Sequence, residues 1–181
     1  PMKANLGQNE PIRLKKWDKM NLYQWLQTKK KDAPSFVFHD GPPYANGSIH
    51  IGHLLNKVLK DLVVRSQMLL GHACEFTPGW DCHGLPIEHK VLSELSDEKK
   101  AKLASLPPDH ERLAIRNECK KYAEKFIKLQ SQQMKRLLTV ADYDAPYLTF
   151  QPQYESKVLD VFAGMVKEGI VFRQLKPVHW S

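Results

Sequence analysis

Long apolar runs are missing from this chain. No stretch of about 18 consecutive apolar residues occurs, so no membrane-spanning helix is expected. The opening residues, Pro1-Met2-Lys3-Ala4-Asn5, lack the apolar core of a secretory signal. Cysteine is scarce: Cys74, Cys82 and Cys119 form no C-x-x-C pair, which argues against a zinc clamp and against a disulfide framework. A cytoplasmic protein is expected on these grounds. There is no initiator Met at position 1, and a trimmed chain is expected. Two nucleotide fingerprints are also missing. Neither G-x-x-x-x-G-K-[ST] nor G-x-G-x-x-G is present, which argues against a P-loop ATPase and a dinucleotide dehydrogenase. Internal repeats and low-complexity segments are absent as well.

What remains is ordinary globular material: 181 residues, 42% hydrophobic and 26% charged, enough for one domain with a real core or for one and a half smaller units. Net charge is +7. That balance suits a polyanion such as tRNA or ATP, but many basic proteins bind neither, so charge alone decides nothing.

Apolar spacing predicts a helix over Asn9–Lys30, with Ile12, Leu14, Trp17, Leu22 and Trp25 as buried positions. Ser35-Phe36-Val37-Phe38-His39 reads as a buried strand. Asp40 to Gly47 is a loop by its Gly and Pro content. A helix follows over about Ile49–Leu70, its stripe formed by Ile51, Leu54, Leu55, Val58, Leu59, Leu62 and Val63, with Gly71 placed to end it. Ala73–Thr77 reads as a second strand and Pro78–Pro86 as a second loop. Strand, loop, helix, strand is the pattern of a parallel sheet. Asp109 is placed to cap a helix from His110 to about Leu138, with Ile115, Cys119, Tyr122, Phe126 and Leu129 as its seam. Another helix is expected from Pro152 to Glu168, stopped by Gly169. Ile170–Phe172 and Pro177–Trp180 look like strand material.

The chemistry is concentrated in the loops. In an open parallel sheet, ligands bind where strands end and helices begin, and helix N-termini hold phosphate through free N–H groups and the dipole. His50 and His53 stand three apart at such a start, so both rings point to one side. Gly52 between them permits a close approach to the backbone. Two imidazoles here can donate hydrogen bonds to phosphate oxygens as charge shifts. The same H-x-x-H pair is half of a metal site, but no third ligand lies at a recognisable spacing.

His39-Asp40-Gly41-Pro42-Pro43-Tyr44-Ala45-Asn46-Gly47-Ser48-Ile49-His50-Ile51-Gly52-His53 closely resembles the HIGH signature of class I aminoacyl-tRNA synthetases, with the G-P-P-x-A-N-G lead of the branch activating isoleucine, valine and leucine. Gly79-Trp80-Asp81-Cys82-His83-Gly84-Leu85-Pro86-Ile87-Glu88 is most similar to the isoleucine-activating members, and Lys176–Trp180 resembles the segment leading into the editing insertion. The resemblance spans nearly the whole chain.

It implies the first half of a Rossmann-like parallel-sheet nucleotide-binding domain of α/β class. Residues 1–34 would be a helical extension and 35–181 the half-domain, ending before the editing insertion. It implies that isoleucine attacks the α-phosphate of ATP held with Mg2+, and that the acyl group passes to tRNA(Ile). By motif match, His50 and His53 would be catalytic. Gly41, Asn46, Gly47, His50, Gly52 and His53 would line the ATP site, and Pro42 and Asp81 the amino-acid site. Pro43, Tyr44, Ala45, Ser48, Ile49 and Ile51 complete the motif. A carboxylate beside a glycine loop suits a substrate ammonium.

No zinc site and no membrane are implied, and a monomeric parent is. The K-M-S-K-S loop of the family is absent from these residues, so the segment alone is expected to be inactive or nearly so. Rival readings are a valine- or leucine-activating member, a small H-x-G-H nucleotidyltransferase, and an inactive ATP-binding half-domain.

Overall fold

A computed structural model describes residues 3–179. Seven helices and a two-stranded parallel sheet are formed among them. Helices α1 (Leu6–Lys19) and α2 (Leu22–Lys29) come first, then α3 (Ile51–Leu69). Strand β1 (Gly79–Trp80) precedes α4 (Leu85–Glu94), α5 (Asp97–Ala104) and the long α6 (Pro108–Arg136). Strand β2 (Tyr147–Leu148) and α7 (Pro152–Lys167) follow.

Three stretches of chain run parallel through the centre. The middle one, 73–82, bonds to 34–45 on one side and to 142–149 on the other. Phe36 N–H donates to Ala73 O (2.8 Å) and Ala73 N–H to Pro34 O (2.9 Å). Across the other edge β1 pairs with β2, Gly79 opposite Tyr147 and Trp80 opposite Leu148. Helix α3 makes the first crossover; α4, α5 and α6 make the second.

The expected strands Ser35–His39 and Ala73–Thr77 do not form. They contribute one isolated parallel bridge, Ser35 to Ala73. Proline explains the interruption: Pro34, Pro42, Pro43, Pro78 and Pro146 fall in or beside the pairing stretches, and each removes a donor from the ladder. Ile170–Phe172 is not a strand either, nor is 177–179, since an apolar run without a paired neighbour has no ladder to join. Trp180 lies outside the described residues.

The single helix expected over Asn9–Lys30 is two. Asn21 adopts a left-handed conformation (φ 47°) between them, which Asn tolerates better than most residues. The break resets the helical phase, so Ile12 and Trp25 are exposed while Leu14, Trp17 and Leu22 are half-buried. Helix α6 begins at Pro108, a residue suited to a first helical position, and Asp109 lies in its first turn rather than at the cap. Its deepest seam is Ala123, Ile127, Gln130 and Met134, beside the expected one, whose members are half-buried. Strand β1 and the start of α4, at Leu85, fall inside the expected loop Pro78–Pro86, while the rest of α4 and α5 occupy a stretch that carried no expectation.

Helix α3 differs most from expectation. Its bounds agree, but its face does not: Ile51, Leu55, Val58, Leu59, Leu62 and Val63 are exposed, while Lys57 and Val64 are buried. The inward face is set by polar anchors. Lys57 and Lys60 pair with Asp40. Asp61 accepts from Val140 N–H (2.8 Å), and the Arg65 guanidinium donates to Leu138 O.

Two apolar clusters hold these pieces. Ala45, Trp80, Cys82, Ile87, Val91, Ala123, Ile127 and Met134 pack between the loops, α4 and α6. Val64, Cys74, Phe76 and Ala141 pack beneath α3 with Phe36, Phe38 and Met68.

Candidate functional site

His50 is the N-cap of α3, with an extended backbone (φ −128°, ψ 178°). Its ring Nδ1 accepts from Gly52 N–H (3.1 Å), and its own N–H donates to His53 Nδ1 (3.2 Å). Each histidine therefore caps the helix start with the same ring nitrogen. In the neutral rings this assigns the proton to Nε2 in both, leaving two ring N–H donors free for a ligand. The ring centroids are 4.1 Å apart; His50 is exposed and His53 half-buried. Burial first, then His50 and Lys57, hold the His53 pKa below the ordinary histidine value.

Gly52 is constrained by the cap itself. A Cβ there would meet His50 Cε1 at 2.9 Å, so the group that approaches its backbone is the neighbouring ring. Gly47 has φ +77°, a conformation open to glycine and strained for other residues.

The loop before the turn hangs from α6. Gln130 Nε2 donates to Tyr44 O (3.0 Å) and Gly47 O (3.0 Å). Tyr122 OH donates to Asn46 Oδ1 (2.8 Å), and Ile49 N–H donates to Gln133 Oε1 (2.9 Å). Gln130 also reaches the second loop, where its Oε1 accepts from Trp80 Nε1 (3.0 Å). It is fully buried and braces both loops with one side chain.

The two loops leave the same edge of the parallel arrangement. Tyr44 and Asp81 form a parallel bridge, with Ala45 N–H donating to Asp81 O (2.8 Å) and Asp81 N–H to Pro43 O (2.9 Å). Through its backbone Asp81 pairs with the chain just beyond Pro42. Gly41 and Pro42 are exposed, Pro43 half-buried, and Ala45 fully buried in the core. Ser48 and Ile51 are exposed and Ile49 is half-buried.

Beyond Asp81, Cys82 N–H donates to Thr149 Oγ1 (2.9 Å). His83 sits between Thr149 (Nδ1 to Oγ1, 3.3 Å) and Glu155 (Nε2 to Oε1, 3.1 Å). A cleft of about 730 Å3 opens beside this loop, lined in part by Cys82, His83, Ile87, Arg116 and Phe150. A second, of about 440 Å3, lies between α1, α2 and residues 135–144 and includes none of the motif residues. Among the described residues, no group of three or more His, Cys, Asp or Glu is placed to hold a metal ion, and no helix is long and apolar enough to cross a membrane.

Sequence reasoning missed Gln130, Tyr122, Gln133, Thr149 and the Asp40 pairings. One signal was present: Gln130 continues the Ala123, Ile127, Met134 spacing, and a polar residue inside an apolar seam has a buried partner to satisfy.

The family model for class I tRNA synthetases (I, L, M and V) matches residues 12–181. The chain belongs to this family. Its sequence is 50% identical over 179 residues to the isoleucine–tRNA ligase of Kosmotoga olearia, covering 99% of this chain and 19% of that protein. It is 49% identical over 181 residues to the isoleucine–tRNA ligase of Methylacidiphilum infernorum, covering 100% of this chain and 19% of that protein. This class I synthetase chain thus spans about a fifth of the length of the curated relatives it matches. Among solved structures, the LeuRS of Agrobacterium radiobacter K84, in a ternary complex with tRNA and LeuAMS, superposes with a TM-score of 0.68 at 20% identity, covering 95% of this chain and 19% of that one. At that identity the likeness shows a shared fold.

Proposed function

We propose that this chain carries the histidine half of the active site of an isoleucine–tRNA ligase. The protein would form isoleucyl-adenylate from isoleucine and Mg-ATP and transfer the acyl group to tRNA(Ile). Residues 35–181 would form the first half of a Rossmann-like nucleotide fold, with 1–34 as a helical extension. The observation that carries the reading is the reciprocal cap: both Nδ1 atoms are occupied, which leaves two Nε2–H donors side by side at a helix N-terminus. Such a pair suits phosphate oxygens whose charge grows during displacement, because its donors are already oriented. Gly41, Asn46, Gly47 and Gly52 shape the loop around them. Asp81, bonded through its backbone to the same loop, offers its carboxylate to the substrate ammonium beside Pro42.

The test is isoleucine-dependent exchange of pyrophosphate into ATP by the full-length protein, with valine and leucine in parallel. Isoleucine should drive exchange best. His50→Ala and His53→Ala should each reduce it, whereas Asp81→Ala should raise the KM for isoleucine far more than that for ATP. Exchange driven as well by leucine or valine, or equal losses for both substrates at Asp81, would defeat the reading.

A further inference from the structure

Asp40 is the last residue before the Gly41–Gly47 loop, and its carboxylate is fully enclosed. Its oxygens are divided between two lysines of α3. Lys57 Nζ donates to Oδ2 and Lys60 Nζ to Oδ1. The Lys57 side chain is only 4% exposed and that of Lys60 17%. Burial is the main influence lowering the Lys57 pKa; the bond and charge of Asp40 oppose it, and Lys60 adds to it. One carboxylate between two ammonium groups leaves one positive charge unbalanced. Lys57 follows His53 by four residues, one helical turn further along the same face.

The main chain of Asp40 is anchored too. Its carbonyl accepts from Tyr147 OH (2.7 Å). The Tyr147 ring lies against Gly79, where an added Cβ would stand 2.0 Å from it. Asp40 thus joins the entry of the first loop to α3 and, through Tyr147, to the strand pair beneath the second loop. Stability alone is a poor reason for such a site. An apolar pair of similar volume is often as stable as a buried ion pair, or more so.

We propose that Asp40, Lys57 and Lys60 form a positioning element for the His50–His53 turn. The carboxylate fixes the loop entry against α3, and the surplus ammonium charge strengthens the field in which ATP phosphates bind. This rests on the ATP site proposed above. None of the three touches the reacting atoms; they act through the turn.

The experiment uses the full-length protein and two variants. Asp40→Leu/Lys57→Met replaces the most buried pair with apolar groups. Lys60→Gln keeps that pair and removes the surplus charge. Thermal unfolding, ATP binding by calorimetry without amino acid, and exchange kinetics are read for each. The double variant leaves Lys60, 17% exposed, without its carboxylate, so it should unfold somewhat below the wild-type temperature, yet lose on the order of 10²-fold in kcat/KM for ATP, with the KM for isoleucine unchanged. Lys60→Gln should weaken ATP binding several-fold without moving the unfolding temperature.

A purely structural role predicts that activity follows stability, so a stable double variant with wild-type exchange overturns the proposal. If the double variant does not fold, Lys60→Gln decides: unchanged ATP binding overturns the proposal and weakened binding supports it. Wild-type protein that binds ATP but shows no isoleucine-dependent exchange would sink the proposed function alone. A wild type that binds no ATP sinks both.

Discussion

The two loops of the site are held in different ways. In the first, Gly41, Pro42, Ser48 and His50 are exposed and only Ala45 is buried, and α6 grips it through side-chain hydrogen bonds donated by Tyr122 and Gln130 and accepted by Gln133. The second is rooted in the buried stretch Pro78–Gly79–Trp80. It is bonded by backbone on both flanks: Tyr147 N–H to Pro78 O, Thr149 N–H to Trp80 O, and the exchange between Asp81 and Pro43–Ala45. The second loop starts from the core, where Trp80 and Cys82 are buried, whereas the first joins the same core at Ala45, with Tyr44 and Ile49 packed beside it, and is otherwise held by side-chain hydrogen bonds. A segment held by side-chain hydrogen bonds around one buried anchor opens at lower free energy than a buried backbone ladder. The histidine turn therefore sits on the more adjustable of the two supports, and Asp81 on the more rigid.

The sharpest way to break this contrast is at Trp80, which is fully buried. Trp80→Ala is expected to cost about 3–5 kcal/mol, as large aromatic truncations in a core do. It should lower stability throughout, measured by chemical denaturation. A loss confined to the first loop would show that the second is not the base.

Gln130 comes next, because it braces both loops. Gln130→Leu leaves Trp80 Nε1, Tyr44 O and Gly47 O without this partner, at about 1–3 kcal/mol for each group that stays buried and unsatisfied. Hydrogen exchange should quicken in both loops; quickening in neither would show that the bridge is dispensable.

Tyr122→Phe removes only the bond to Asn46 and should cost about 0.5–1.5 kcal/mol. Faster exchange is expected at 45–50 and not at 79–82. Equal change in both would erase the distinction between them.

The smallest effect is that of pH. The folded-state pKa of His53 is lowered, chiefly by burial, then by His50 and Lys57. Folding thus favours the neutral ring. This contribution is complete above the unfolded histidine value of about 6.5 and is lost as pH falls through the lowered folded value. Acidification should loosen the first loop before the second. An imidazole titration by NMR should give His53 a midpoint below about 6.5; a midpoint at or above it would remove the effect.

Much of this was legible in the residues. The bounds of α3 and α7 follow the apolar spacing and their glycine stops at Gly71 and Gly169. The two motif loops and their shared edge follow from the helix that joins them. The strands were not legible as they stand. Phe36–His39 and Ala73–Thr77 carry strand composition, but strand formation depends on a continuous partner, and the prolines that flank these stretches, Pro34, Pro42, Pro43 and Pro78, interrupt the ladder. The candidate site was visible as a set of residues. Its supports, Gln130, Tyr122 and the two lysines, were not: seam spacing marks Gln130 as buried, but a polar side chain does not name its partner, which here lies between 17 and 86 residues away.

The sequence by itself determined what depends on near neighbours. The reciprocal cap of His50 and His53 joins residues three apart, and the helix stops need only a glycine in a left-handed conformation. Within residues 3–179, tertiary contacts decided which face of α3 turns inward. Spacing marks Ile51, Leu55, Leu59 and Leu62 as a stripe, yet Asp40, Leu138 and Val140 draw the opposite face down through Lys57, Lys60, Arg65 and Asp61. A buried carboxylate must be paired where it lies, and the residues that pair it come together only when the chain has folded.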